Sequence, residues 1–254
     1  MTDKTTFPDL RGKSVYITGG GSGIGAALTD GFLAQGAKVA FIGRSDASAF
    51  VAEMAGKHGQ APLFIQGDIT DLEALRDSMH AAAEAHGPID VLVNNAANDQ
   101  RHSLEEADEA FWEWMIAINL KAYFFACQEA AKQMTQGGVI LNFSSISYIM
   151  GNAGYPIYTT ANAGITGMTR SLARELGPHN IRVNALAPGW VLTEKQLDMW
   201  ANPEDLAAHL ERQCLKTHLA PDDIVGPTLF LCSNASRMMT GQCMAVDGGV
   251  VVSG

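Results

Sequence analysis

The sequence predicts an α/β fold in which a single doubly wound parallel sheet of about seven strands carries helices on both faces. Three observations point there. Short β-branched runs alternate with longer Ala-rich amphipathic stretches, no linker breaks the apolar distribution over 254 residues, and a glycine-rich turn follows the first run. One domain, 1–254, is therefore expected. Val15 to Thr18 reads as the first strand and Ile24 to Gln35 as the first helix; Val39 to Ile42 and Ala47 to His58 repeat the pair. Leu63 to Gln66, Asp71 to His86 and Val91 to Asn94 continue it as strand, helix, strand. Leu104 to Met134 reads as one long helix with a break, Val139 to Phe143 as a buried strand, and Ile157 to Leu176 as a helix ended by Gly177-Pro178. Val183 to Leu186 is a further strand, and Asp222 to Cys232 with Cys243 to Val246 supply the last helix and strand. Thr193 to Thr217 is polar and helical but weakly periodic, which suggests a surface excursion, and the stretch 190–217 is a candidate substrate lid.

Composition narrows the partners. With 47% hydrophobic and 17% charged residues the chain needs no partner to fold. A formal charge of -10, with no local Lys/Arg cluster to reverse it, would repel a phosphate backbone and argues against nucleic acid. Cys127, Cys214, Cys232 and Cys243 form no CxxC pair, so buried free thiols in a reduced, cytoplasmic setting are expected. MTDKTTFPDLRGK has no apolar core for a signal peptide, and no stretch reaches about 18 apolar residues, so neither export nor a membrane span is expected. The seven histidines lack HxxxH or HExxH spacing, and no catalytic metal is expected.

The segment Thr18-Gly19-Gly20-Gly21-Ser22-Gly23-Ile24-Gly25 lies between strand and helix, where glycines let a pyrophosphate approach the backbone and the helix N-terminus offers free N–H groups. That is the dinucleotide-binding turn of a Rossmann fold. Asp68 follows the third strand, either as a helix cap or, with the Ile69 backbone, as a clasp for an adenine edge; Asn94-Asn95-Ala96 follows the fourth. At the end of the second strand a ribose-binding acid would favour NAD, but Gly43-Arg44-Ser45 stands there. The available guanidinium favours NADP, with NAD the alternative.

TGGGSGIG at 18–25, NNA at 94–96, Asn119, Ser145, Tyr158 and the Pro188-Gly189 turn together resemble the short-chain dehydrogenase/reductase family over essentially the whole chain. The resemblance implies that Ser145 polarises a substrate oxygen, that Tyr158 exchanges its proton, and that Asn119 supports a water relay. It also implies a lysine one turn beyond the tyrosine, lowering the phenol's pKa and holding the nicotinamide ribose. This chain carries Asn162 there, in Tyr158-Thr159-Thr160-Ala161-Asn162. Positions i and i+4 share a helix face, but a neutral, shorter amide brings no charge to a phenolate. The expectation is retained cofactor binding with a slowed chemical step. A substitution that traps a complex, a naturally weakened enzyme and a non-catalytic dinucleotide-binding protein all fit.

The same resemblance assigns Val191 and Thr193 to the cofactor, Thr193 alternatively being a helix cap. It implies a homotetramer through 104–134 and 157–176, and Val246-Asp247-Gly248-Gly249 looks like the family's ending. NNAG appears as Asn94-Asn95-Ala96-Ala97, one methyl larger. The polar run Asn98-Asp99-Gln100-Arg101-His102, with Asn152 and Trp190, suits a polyhydroxylated substrate whose C–H face packs on a ring, although a merely solvated loop would read the same. NNAANDQRH resembles the aldose dehydrogenases of the family, which oxidise a sugar at its anomeric carbon to a lactone. Reduction of a ketone or a 3-oxoacyl thioester is the second enzymatic reading.

Overall fold

The computed structural model describes residues 5–252. Its strands are β1 (Ser14–Thr18), β2 (Lys38–Gly43), β3 (Leu63–Gln66), β4 (Val91–Asn94), β5 (Gly138–Phe143), β6 (Ile181–Pro188) and β7 (Cys243–Val246), in the order β3-β2-β1-β4-β5-β6-β7. All neighbours are parallel. The central strands β1 and β4 are buried along their whole length, whereas β7 at one edge is only half-buried. That gradient is what continuous apolar runs at the centre and mixed ones at the edges require.

Alternate strand residues feed two cores. Val15, Ile17, Phe41 and Val93 pack beneath α1 (Gly23–Ala34), α2 (Ser48–His58) and α10 (Pro221–Cys232), through Leu28, Phe32, Met54 and Leu229. Tyr16, Ile42, Leu92 and Ile140 pack beneath α3 (Leu72–His86), α5 (Ala122–Gln133) and α7 (Pro156–Leu176), through Leu75, Met79, Ala126 and Ala173. After β3 the chain crosses back to β4 on the other side of β1, and ligand crevices open at that reversal, beyond the carboxyl ends of the strands.

Three expectations need correction. Residues 104–106 form a turn, and the helix begins only at α4 (Glu109–Ile116), where the Asp108 carboxylate accepts from Phe111 N–H and supplies the cap. The expected break is a π-helical segment, Ala117–Lys121, which adds a residue to the turn without ending the helix. A short helix α6 (Ser147–Met150), which the sequence reading lacks, follows β5, and β6 extends two residues beyond Val183–Leu186 at each end, Asn180, at φ 58°, making the reversal into it. The excursion after β6 is helical, as expected: α8 (Glu194–Met199) and α9 (Pro203–Arg212) are capped by Thr193 and Asn202. Cys127 and Cys232 are buried free thiols, as expected; Cys214 is exposed. Among the described residues no helix is long and apolar enough to cross a membrane, and no cluster of His, Cys, Asp and Glu could hold a metal ion.

Candidate active site

The loops leaving β1 and β4 are clamped together. The N–H groups of Asn95 and Ala96 donate to Thr18 Oγ1 at 2.9 and 3.1 Å, and Asn95 Nδ2 donates to the carbonyls of Thr18 and Gly19 at 3.1 Å each. Asn95, assigned to the cofactor by its motif, is thereby the strut that holds the glycine turn. A side chain at Gly25 has no room, since its Cβ would lie 1.8 Å from the Gly19 carbonyl oxygen. Past Ser22, the amides of Gly23, Ile24 and Gly25 precede the first intrahelical bond, from Ala26 N–H to the Ser22 carbonyl at 3.1 Å. They are free for an anion, and the helix dipole favours one.

These residues open onto a cleft of about 1380 Å³ that also takes in Arg44, Ser45, Asp68, Ile69, Pro188, Gly189, Val191 and Thr193. Its size exceeds the roughly 300–1,000 Å³ of a drug-sized pocket and leaves room for a dinucleotide beside a second ligand. The glycine cradle and the free amides fit a dinucleotide pyrophosphate. Asp68 closes a tight turn by accepting from Thr70 N–H at 2.9 Å and Thr70 Oγ1 at 2.8 Å, and its other oxygen stands 4.0 Å from the Arg44 guanidinium. Thr193 caps α8 by accepting from Gln196 N–H at 3.3 Å, and its methyl lies 3.2 Å from where a Gly23 Cβ would stand.

Ser145, Tyr158, Asn119 and Asn162 line the inner end of the same cleft. Asn119 sits in the π segment, and its amide is committed to one neighbour on two sides: Oδ1 accepts from Asn98 N–H at 2.8 Å, and Nδ2 donates to the Asn98 carbonyl at 3.0 Å. Nδ2 also donates to the Met115 carbonyl at 2.9 Å, so Asn119 fixes the loop after β4. Asn162 is buried, with Nδ2 donating to the Tyr158 carbonyl at 2.9 Å one turn back. Burial, with the Asp99 carboxylate and Tyr155 adding to it, pushes the Tyr158 phenol up to about 12; the Ser145 hydroxyl and Asn162 amide pull the other way and do not offset it. Asn162, standing where the family resemblance implies a lysine, brings no charge to this phenol. At neutral pH it is a proton donor and a poor base.

On the substrate side, Asn98, Asp99, Arg101, Asn152 and Trp190 reach the cleft, but His102 does not line it. His102 is buried: its Nδ1 lies 3.0 Å from the Gln100 carbonyl and its Nε2 accepts from Ile157 N–H at 3.3 Å, so it pins the loop to the start of α7. Arg101 stacks over the Tyr155 ring at 4.2 Å, with the Trp200 ring at 5.6 Å on its other flank. Asp99 accepts from Lys195 Nζ at 3.0 Å and Gln196 Nε2 at 2.7 Å, and Gln196 Oε1 accepts from Trp190 Nε1 at 2.9 Å. This bonded chain ties α8 to the loop after β4. Asp99→Asn, which removes the charge, is expected to raise amide exchange in Glu194–Met199 about tenfold, since a hydrogen bond to a charged group contributes roughly 1.5–3 kcal/mol. Unchanged exchange by mass spectrometry would show that α8 is held from elsewhere.

Sequence reasoning missed Lys195, Gln196, Trp200 and Tyr123. The first three lie in a stretch without periodicity, so no signal aimed them at the cleft. Tyr123 had one: it follows Asn119 by four residues on the same helical face.

The profile of the family described as enoyl-(acyl carrier protein) reductase matches residues 19–251. The chain is 50% identical over 248 residues to a "probable galactose dehydrogenase" of Rhizobium meliloti (strain 1021), covering 96% of this chain and 97% of that one. It is 44% identical over 247 residues to a D-xylose 1-dehydrogenase of Caulobacter vibrioides, with the same shares covered. Among solved structures, a short-chain dehydrogenase/reductase from Serratia marcescens BCRC 10948 superposes with a TM-score of 0.89 at 30% identity, over 96% of this chain and all of that one. A blue fluorescent protein from a metagenomic library, in complex with NADPH, gives 0.88 at 35% identity over 96% and 100%.

Proposed function

Because the chain belongs to the short-chain dehydrogenase/reductase family, and is thus an NAD(P)-dependent oxidoreductase acting on CH–OH donors, we propose that it oxidises an aldose at C1 to the lactone. The observation that carries this reading is that Ser145 and Tyr158 line one cleft together with Asn98, Asp99, Arg101, Asn152 and Trp190. Several hydrogen-bonding groups beside an indole face match a ring of hydroxyls better than an acyl chain. The relatives named for galactose and xylose oxidation support the same class. A bound nicotinamide would supply the hydride acceptor, held by the glycine turn, the Ile69 backbone, Ala96, Tyr158, Asn162 and the 188–193 turn. Ser145 and Tyr158 hold the C1 oxygen, and Tyr158 takes its proton as the C1–H bond breaks. Because Tyr158 lacks a cation, this chain runs the proton step slowly. The 190–217 excursion, strapped to Asp99, acts as the lid, and a homotetramer forms through the faces of α4, α5 and α7, where Trp112 and Phe124 are exposed.

A panel of aldoses and ketones assayed with both cofactors on the Asn162→Lys form tests the reading. Lactone formation from an aldose is expected. Preference for a ketone or a 3-oxoacyl thioester, or nucleotide binding with no turnover at all, would overturn it.

NADP is the preferred acceptor in this reading. Arg44 is 62% exposed and lies at the ribose end, free to turn onto a 2′-phosphate, and the NADPH-bound neighbour is compatible with that choice. Arg44→Ala is expected to raise the NADP KM about 10–100-fold, the worth of a charge-assisted pair, while leaving the NAD KM within about threefold. Equal effects on both cofactors would remove Arg44 from the phosphate site.

A further inference from the structure

Arg101 differs from an ordinary surface arginine in how it is held. Two residues before it, Asp99 is bonded to Lys195 and Gln196 on α8 through separate carboxylate oxygens, at 3.0 and 2.7 Å. The residue after it, His102, donates its N–H to the Gly154 carbonyl at 2.9 Å and accepts from Ile157 N–H at 3.3 Å. The backbone that carries Arg101 is thus fixed on both sides. Its guanidinium carbon stands 4.2 Å from the centre of the Tyr155 ring and 5.6 Å from that of Trp200, the residue that closes α8. Contacts with aromatic faces hold the charge without spending the in-plane N–H donors. Asp99, the nearest acid in sequence, is already engaged by α8, and among the described residues no carboxylate pairs with Arg101. A rigid loop and two rings therefore orient a donor fork that the chain itself leaves unused.

Tyr155 joins this clamp to the chemistry. Its ring meets that of Tyr158 edge to face, with centroids 5.9 Å apart, so one aromatic ring separates the guanidinium from the phenol. Arg101 and Trp200 line both the cleft and a smaller hollow beside it, which makes them a wall of the cleft. A ligand seated against that wall strips water from the guanidinium, and a desolvated cation needs an opposite charge; neutral hydroxyls replace its hydration only in part. A carboxylate meets the fork with two parallel N–H···O bonds and cancels the charge.

We propose that the aldose this protein oxidises carries a carboxylate at the end of the ring away from C1, as a uronic acid does, and that Arg101 is the residue that selects it. The proposal rests on the reading of the chain as an aldose dehydrogenase and specifies the far end of the same substrate. With C1 held by Ser145 and Tyr158, the pyranose bridges to Arg101 and its carboxylate accepts from the fork. The reaction at C1 is unchanged.

Matched sugars that differ only at C6 test it: galactose and glucose, galacturonate and glucuronate, and the uncharged methyl esters of the two uronates. On the Asn162→Lys form, kcat/KM for a uronate is expected to exceed that for its neutral partner at least tenfold, mainly through KM, with the ester behaving as the neutral sugar. Arg101→Met keeps an apolar stem between the two rings and removes the fork, so the ratio of uronate to neutral aldose is expected to fall at least tenfold. Binding to the present chain with dinucleotide added is followed in parallel by quenching of tryptophan fluorescence, since Trp190 and Trp200 line the cleft. Uronates that bind no tighter than neutral aldoses, esters equal to uronates, or a ratio unmoved by Arg101→Met would overturn the inference and leave aldose oxidation in place. If no sugar is turned over by any form, the aldose reading fails, and the fluorescence titration of the chain and of Arg101→Met alone decides whether Arg101 holds a carboxylate.

Discussion

Asn162→Lys is expected to raise the rate of sugar oxidation by about 10²–10⁴-fold, the range attributed to a positioned acid–base group, with little change in dinucleotide affinity. The reactive form of Tyr158 in oxidation is the phenolate, and burial with the Asp99 carboxylate nearby holds the phenol up at about 12. Below that value the phenolate fraction grows tenfold per pH unit, so kcat/KM for oxidation by the present chain should climb with unit slope to the highest pH the protein tolerates. A lysine at position 162 reaches from the same helical face, opposes the Asp99 charge and favours the anion. Its profile should therefore level off at a lower pH, and the gap between the two forms should narrow as pH rises. Parallel profiles of equal slope for the two forms would mean that Asn162 acts by some route other than the charge on Tyr158.

The sheet could be read from the sequence because its signals are local and redundant. Each central strand is a β-branched run buried on both faces, and each crossover is an Ala-rich helix of the right length. The glycine turn was legible for a related reason: Gly25 is dictated by the close approach of the Gly19 carbonyl, and Gly19 and Gly23 by φ of 71° and 52°, demands that are written into residue type. What stayed hidden depends on who bonds whom across the cleft. His102 sits in a polar run and reads as a substrate contact, yet its ring nitrogens are spent on Gln100 and on the start of α7. Asn119 reads as part of a relay, yet its side chain pairs with the main chain of Asn98. The strap from Asp99 to Lys195 and Gln196 joins residues almost a hundred positions apart, a distance over which no periodicity reaches.

The same reasoning about backbone approach predicts opposite outcomes for one chemical change made at two glycines. Gly25→Ala is expected to abolish dinucleotide binding and to destabilise the fold, because its methyl would stand 1.8 Å from the Gly19 carbonyl oxygen and 2.8 Å from Asn95 Nδ2. Neither can withdraw: Asn95 Nδ2 is bonded to the Thr18 and Gly19 carbonyls, and Gly19 N–H donates to the Ile42 carbonyl at 2.8 Å, which fixes the turn to β2. Relief comes only by pushing α1 away from the turn, which spreads the amides that would hold the pyrophosphate and separates strands that share the central core. Overpacking of this kind costs about 1–3 kcal/mol or more, and the displaced amides should weaken nucleotide binding at least a hundredfold. Gly56 lies inside α2 with nothing within 4 Å of a Cβ, at an ordinary helical φ. There the methyl only restricts the unfolded chain, so Gly56→Ala should stabilise by about 0.4–1 kcal/mol and leave nucleotide binding unchanged. Thermal unfolding and a nucleotide titration on both variants measure the contrast. Full nucleotide affinity in Gly25→Ala would show that the turn yields where its hydrogen bonds say it cannot, and the anion cradle would have to be sought elsewhere in the cleft.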